Sequence, residues 1–306
     1  MSSKEFLVRA VAAYDGNAFI TSDAYATVVN PKIWDTQLRD FEEKSIIYAK
    51  VGCKSYDFRK PGRDLTITVD AAPTAAASLV ETASIAIQAI TNRQVTYTPT
   101  EQGTGFEVSK SEMEDAFFAT MENMSKKVGY ALALRKDALG VAAAMDGATT
   151  KLVVNDVTSS DIASSDTLGL ADFTEAVRTI KNLYYMPSEA FICPSQEEQI
   201  LNITQVQKAN EFGSRDAIEK GLIGQLFGVK IYVTHSIPVA SNQAKMIVQG
   251  ESGSGEKACG YAVKRDPTIE TDYNPYMRKY AVLGSERYNF QVLHPNAIVT
   301  VESYAA

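Results

Sequence analysis

A helical pattern that runs unbroken from Ser109 to Gly147, "SKSEMEDAFFATMENMSKKVGYALALRKDALGVAAAMDG", sets the scale of anything this chain can fold into. Ser111 followed by Glu114 makes a capping-box pattern at its start, and Gly147 supplies a stop. Met113, Phe117, Met121, Met124, Val128, Ala131 and Leu134 recur at steps of three and four, which predicts one apolar stripe. At 1.5 Å per residue the element is roughly 50 Å long, more than the width of a small domain. It must therefore cross the subunit as a spine on which other elements lie. Gly129, Gly140 and the alanines Ala133 and Ala142 to Ala144 interrupt any strict heptad, so a coiled coil is not expected.

The sequence on the two sides of this spine differs in kind. Ahead of it, "NPKIWDTQLRDFEEKSIIYAK" spaces Trp34, Leu38, Phe41 and Tyr48 as one helical face, entered through Asn30 and Pro31. Short alternating strands follow: Leu65, Ile67 and Val69; Ile85 and Ile87; Val95 and Tyr97. They read as a long β-hairpin, which is marginal in water unless it has something to lie on. Beyond the spine, "ADFTEAVRTIKNLYYM" and "SQEEQILNITQVQKA" are helical, the second opened by Ser195. "EAFICP", Val229–Thr234, "KMIVQG", "ACGYAVKR", "PTIETDYN" and the final "SERYNFQVLHPNAIVTVES" read as strands. Helices packed on a central mixed sheet, an α+β class, accommodate this order.

Composition narrows function by exclusion. With 306 residues and 45% hydrophobic content the chain can bury a large core. A net charge of −7 argues against a broad basic nucleic-acid surface. Cys53, Cys193 and Cys259 are odd in number and far apart, which indicates neither a disulfide framework nor a thiolate metal site and fits a reducing compartment. The opening "MSSKEFLVRAVAAYDG" has no apolar core of signal-peptide length, and no segment reaches membrane-span length.

Candidate chemistry is weak throughout. "GLIGQLFGVKIYVTHSIP" spaces glycines like a phosphate loop, but they precede a strand rather than a helix, so a structural role is expected. In "GESGSGEKA", Lys257 falls one place late for a nucleotide loop and no Ser or Thr follows it. His235 and His294 each stand at a strand end near a proline, without the company a metal needs. Ser254 sits in an exposed-turn pattern rather than a nucleophile elbow, and Glu112, Glu114 and Asp115 suit the start of a helix. No catalytic, cofactor-binding or metal residue is assigned, no cofactor is expected, and the chain is not read as an enzyme.

The order of parts resembles the major capsid proteins of tailed bacteriophages, which have the Hong Kong 97-type fold shared by encapsulins and the herpesvirus capsid floor. "LVETASIAIQAIT", "QVTYTPTEQGTGFEVSKSEMED", "GLIGQLFGVKIYVTHSIP" and "ERYNFQVLHPNAIVTVES" carry the resemblance through their order and spacing. It implies an N-terminal arm over residues 1–52, an extended loop over 53–109, a spine helix of the peripheral domain over 110–148, an axial domain over 149–285, and closing peripheral strands over 286–306. In such proteins the glycine segment joins a helix of the central domain to a strand, so Gly224 and Gly228 are expected to supply positive φ or close backbone approach. The implied function is self-assembly into pentamers and hexamers of an icosahedral shell around double-stranded DNA, as part of a virion assembled in the host cytoplasm. The extended loop would lie over a neighbouring subunit. Scaffolding, portal and decoration proteins are the implied partners, DNA contact would be non-specific, and no membrane is involved. An encapsulin nanocompartment shell is the alternative, and a soluble hydrolase or binding protein a more distant one.

Overall fold

The computed structural model describes residues 47–70, 92–111, 119–203 and 224–305. Along them run α1 (Tyr48–Val51), β1 (Cys53–Asp57), β2 (Leu65–Asp70), β3 (Asn92–Tyr97), β4 (Thr100–Ser109), α2 (Ala119–Gly147), β5 (Thr150–Val153), α3 (Leu170–Asn182), β6 (Met186–Ile192), α4 (Pro194–Leu201), β7 (Gln225–Leu226), β8 (Val229–Val233), β9 (Gln243–Glu251), β10 (Cys259–Asn274), β11 (Lys279–Val292) and β12 (Ile298–Tyr304).

The spine is α2, roughly 44 Å long over its described span. The expected capping box at Glu114, the expected Met113 and Phe117, and the side chain of Met121 lie outside the described residues. The buried stripe departs from the expected one after Val128: it runs through Val128, Leu132, Ala133, Lys136, Asp137, Gly140, Val141, Ala144 and Met145, while Ala131 and Leu134 face outward. The reason is that a lysine, an aspartate and a glycine occupy core positions, where a pattern of apolar residues cannot show them. Gly140 is required there, since a Cβ would lie 2.9 Å from Tyr48 and 3.2 Å from Phe290.

A four-stranded sheet in the order β1-β10-β11-β4 lies along the spine. Its central antiparallel pair, β10 and β11, is long enough at about 3.4 Å per residue to match the helix end to end. "ACGYAVKR" and "PTIETDYN", expected as two strands, are one strand whose register shifts between Val263 and Arg265 and again before Thr268. Pro267 is tolerated because β1 covers only Cys259 to Val263, so the proline sits on an open edge at the irregularity.

The second sheet has six strands in the mixed order β5-β12-β9-β6-β8-β7. Both of its faces are buried, and the alternation along its strands shows it. Phe191, Cys193 and Ile247 face the spine-side core with Tyr48, Val141 and Phe290. Ala190, Ile192, Met246 and Val248 face α3, which contributes Phe173, Val177 and Ile180. α4 begins at Pro194, a proline in the first turn, so Ser195 lies inside the helix rather than opening it. The remainder of that expected helix, beyond Ile203, falls outside the described residues.

β2 and β3 pair as the expected antiparallel ribbon, Leu65 opposite Tyr97. The sequence at Ile85 and Ile87 lies outside the described residues. The ribbon base does not wait for a neighbour: Val95 and Tyr97 are buried with Phe58, Ala262 and Leu293 of the same chain, and Leu65, Ile67 and Val69 pack on them. The flanks of the expected loop segment, β1 and β4, are strands of the four-stranded sheet. The expected boundary at 285/286 falls within β11, and β12 joins the six-stranded sheet between β5 and β9 rather than the peripheral strands. The short turn at Pro295–Ala297 carries the chain from one sheet to the other, and strand patterning cannot say which sheet receives it.

Gly224 has φ 35° and Gly228 φ 84°, as expected for the step into β8. A Cβ at Gly228 would meet nothing within 4 Å, so the backbone conformation, not close approach, calls for glycine there.

Candidate functional site

The polar residues that enter the core hold elements together rather than converge on a reaction centre. Asp137 accepts the Tyr48 backbone N–H at 2.7 Å and the Thr234 hydroxyl at 3.0 Å, tying the spine to α1 and to the end of β8. Lys136 pairs with Glu286 of β11 at 3.1 Å in a nearly dry setting and lies over the Tyr288 ring. The Gln249 side chain accepts from the Tyr48 hydroxyl at 3.0 Å and donates to the Gly52 carbonyl. Gln196 accepts the Cys193 N–H and donates to Ser303 at 2.9 Å, locking α4 to β12.

One cavity of about 380 Å³ opens at the end of β6, between Met186, Glu189, Lys230, Glu251 and the turn Ser252 to Gly255. Lys257 reaches Glu189 at 2.7 Å and Glu251 at 3.9 Å. Burial pushes the Glu189 carboxyl above its ordinary range, although Lys257 works against that shift. Lys230 and Lys257 balance the two carboxylates, so the cavity has no excess of either charge. Ser188 offers no activated nucleophile, since its hydroxyl points to the Gln249 carbonyl and has no histidine beside it.

The residues weighed for chemistry are scattered. His235 is exposed just beyond β8. His294 lies at the turn after β11, beside Tyr185 at 5.9 Å, and burial lowers its pKa. Ser254 sits in a turn closed by Gly255 N–H to Ser252 at 2.7 Å, between β9 and β10, with no helix to receive an anion. Lys257 is turned inward. Glu112, Glu114 and Asp115 lie outside the described residues. Among the described residues no group of three or more His, Cys, Asp or Glu side chains could hold a metal, and no helix is long and apolar enough to cross a membrane.

What the surface does offer is apolar area at the ends of the elements. Tyr184, in the turn after α3 with φ 65°, is 95% exposed, next to Leu183 and Met186. Tyr276, at the tip of the β10–β11 hairpin, is 97% exposed, with Met277 beside it. Both are large side chains held in the open at turns, and Tyr184 is so held on a left-handed backbone. Sequence reasoning missed them because Tyr184 and Tyr185 continue a helical pattern and Tyr276 belongs to no pattern at all. The Asn274-Pro275 pair is the one sequence signal that marks the hairpin tip as a turn.

A sequence profile described as a phage capsid protein matches residues 92–301. No curated protein matches the sequence. Among solved structures, the acid-stable capsid of Helicobacter pylori bacteriophage KHP30 is similar with a TM-score of 0.66 at 9% identity, covering 82% of this chain and 88% of that one. The capsid of the cyanophage P-SCSP1u gives 0.65 at 14% identity, with 85% and 88% covered. A virus-like particle from Pyrococcus furiosus gives 0.59 at 18% identity, with 88% and 98% covered.

Proposed function

Because the chain belongs to the phage capsid protein family, we propose that its copies associate as pentamers and hexamers through the exposed turns at its element ends. The protein is a major capsid protein, a structural and non-enzymatic component of the virion whose copies form an icosahedral shell. The observation that carries the proposed contacts is the almost complete exposure of Tyr184, after α3, and of Tyr276, at the β10–β11 tip. Two different patches on one subunit would meet as a heterologous contact, which closes into a ring when its rotation permits, and rings are what a closed shell requires.

In this reading the four-stranded sheet and α2 form the peripheral part of the subunit and the six-stranded sheet the axial part, and the extended loop is the segment between β1 and β4, both of which belong to the four-stranded sheet. The ribbon base belongs to its own subunit, so only the part beyond it would cross to a neighbour. Double-stranded DNA would be enclosed by non-specific contact, and a separate scaffolding protein, with portal and decoration proteins, would complete the particle. The compartment alternative has no feature in its favour that a phage shell lacks.

Tyr184→Asp and Tyr276→Asp test the contacts. Each side chain touches little of its own chain, so thermal melting of the subunit should change by less than about 0.5 kcal/mol. Particle yield, read by negative-stain microscopy, should fall steeply. Normal shells from both variants would refute the assignment of these turns.

A further inference from the structure

The register of β1 against β10 places Cys53 directly opposite Cys259, two residues that stand 206 positions apart in the chain by subtraction of their numbers. Neighbouring strands run about 4.8 Å apart, inside the Cα separation of about 4.4–6.8 Å that a disulfide spans. Both side chains are buried in the same core cluster, so they leave the sheet on the same face. Both thiols are free and buried, and that of Cys259 donates to the Gln291 carbonyl at 3.6 Å. The third cysteine, Cys193, precedes α4 on the other sheet.

We propose that Cys53 and Cys259 form a latent disulfide site, a dithiol that closes into a covalent tie between β1 and β10 when it meets a low-molecular-weight disulfide. The step is thiol–disulfide exchange. One cysteine thiolate attacks the small disulfide and expels one thiol, giving a mixed disulfide. The second cysteine then attacks that bond and expels the other thiol. Two protons and two electrons leave the protein, and one small disulfide becomes two thiols.

The surroundings explain why the pair stays reduced until it is opened. Burial raises the Cys53 thiol well above its ordinary pKa, so little thiolate exists to attack. Tyr48 and the sheet cover it. β1, however, is an edge strand, bonded among the described strands only to β10, so opening of that edge is the local motion that would bring Cys53 to solvent and loosen the cover of Cys259. A chain folded in a reducing cell would carry the dithiol, and a released virion would meet the oxidant. The tie would fix the strand that leads into the extended loop. The disulfide site rests on register within one chain, and only the setting in which it would close rests on the shell reading.

The test uses the full-length protein, assembled and unassembled, incubated with oxidised glutathione in mild denaturant, returned to buffer, alkylated and mapped without reduction. The expected result is a single cross-linked peptide joining Cys53 to Cys259, with Cys193 still alkylated, and a melting temperature that rises and falls back on reduction. In Cys53→Ala, chosen alongside Cys53→Ser in case a buried hydroxyl impairs folding, Cys259 should form no disulfide within the chain. The proposal is overturned if all three thiols remain alkylatable after this treatment, or if the main disulfide involves Cys193 or joins two chains.

Discussion

Replacing Lys136 with methionine removes one member of a buried ion pair while keeping the length of the side chain and its packing on Tyr288. At 3.1 Å the attraction to Glu286 is about 5 kcal/mol at an effective dielectric of 20. The desolvation of both ions offsets most of it, so the intact pair contributes little net stability. Removing one partner is another matter. Glu286 is 1% exposed and would keep its desolvation cost without its cation, which for such pairs costs about 3–5 kcal/mol. The double variant Lys136→Met with Glu286→Leu removes that cost too and should come within about 1 kcal/mol of the parent. Urea unfolding of unassembled subunits measures the four proteins of the cycle, the Glu286→Leu single variant included, and the cycle should show a coupling above about 2 kcal/mol. A loss below about 1 kcal/mol in the single variant, or a double variant as unstable as the single, would refute the claim that the spine is pinned to β11 by a pair whose members depend on each other.

Two further predictions concern the ribbon and the turn. Tyr97→Ala should cost about 3–5 kcal/mol because the ring fills the cluster of Phe58, Ala262 and Leu293, whereas Tyr97→Phe should be neutral or stabilising, since the buried hydroxyl has no hydrogen-bond partner among the described residues; thermal melting separates the two. His294 is held neutral by burial, its folded pKa below the ordinary 6.5, so the unfolded chain binds the extra proton first and stability falls as pH drops below about 6.5. His294→Gln should flatten that part of the melting-temperature profile between pH 7 and 5, and an unchanged slope would contradict it.

How much of this was legible in the sequence depends on whether a feature is local. The spine helix, the Leu65–Val69 and Val95–Tyr97 ribbon and the positive φ at Gly224 and Gly228 follow from spacing and from glycine's freedom, and the structure has them. What was hidden is what the sheets bring together across long separations. Lys136 and Asp137 fall in no apolar pattern, and nothing near them in sequence shows that Glu286, Thr234 and the Tyr48 N–H wait for them. Cys53 and Cys259 read as unrelated, because only the parallel register of β1 on β10 makes them neighbours. Pro267 read as a strand break, because the open edge that tolerates it depends on where β1 ends. The cover found for Val95 and Tyr97 within their own chain has the same origin, so replacing 61–102 with a linker would destabilise the subunit as well as its assembly.

The central claim is that this chain exists to build a shell, and the size of what it forms tests that most directly. Purified protein examined by multi-angle light scattering and negative-stain microscopy should give pentamers, hexamers or closed shells of uniform diameter. A well-folded monomer of 33.3 kDa that persists under every assembly condition, including the presence of its scaffolding partner, would contradict it.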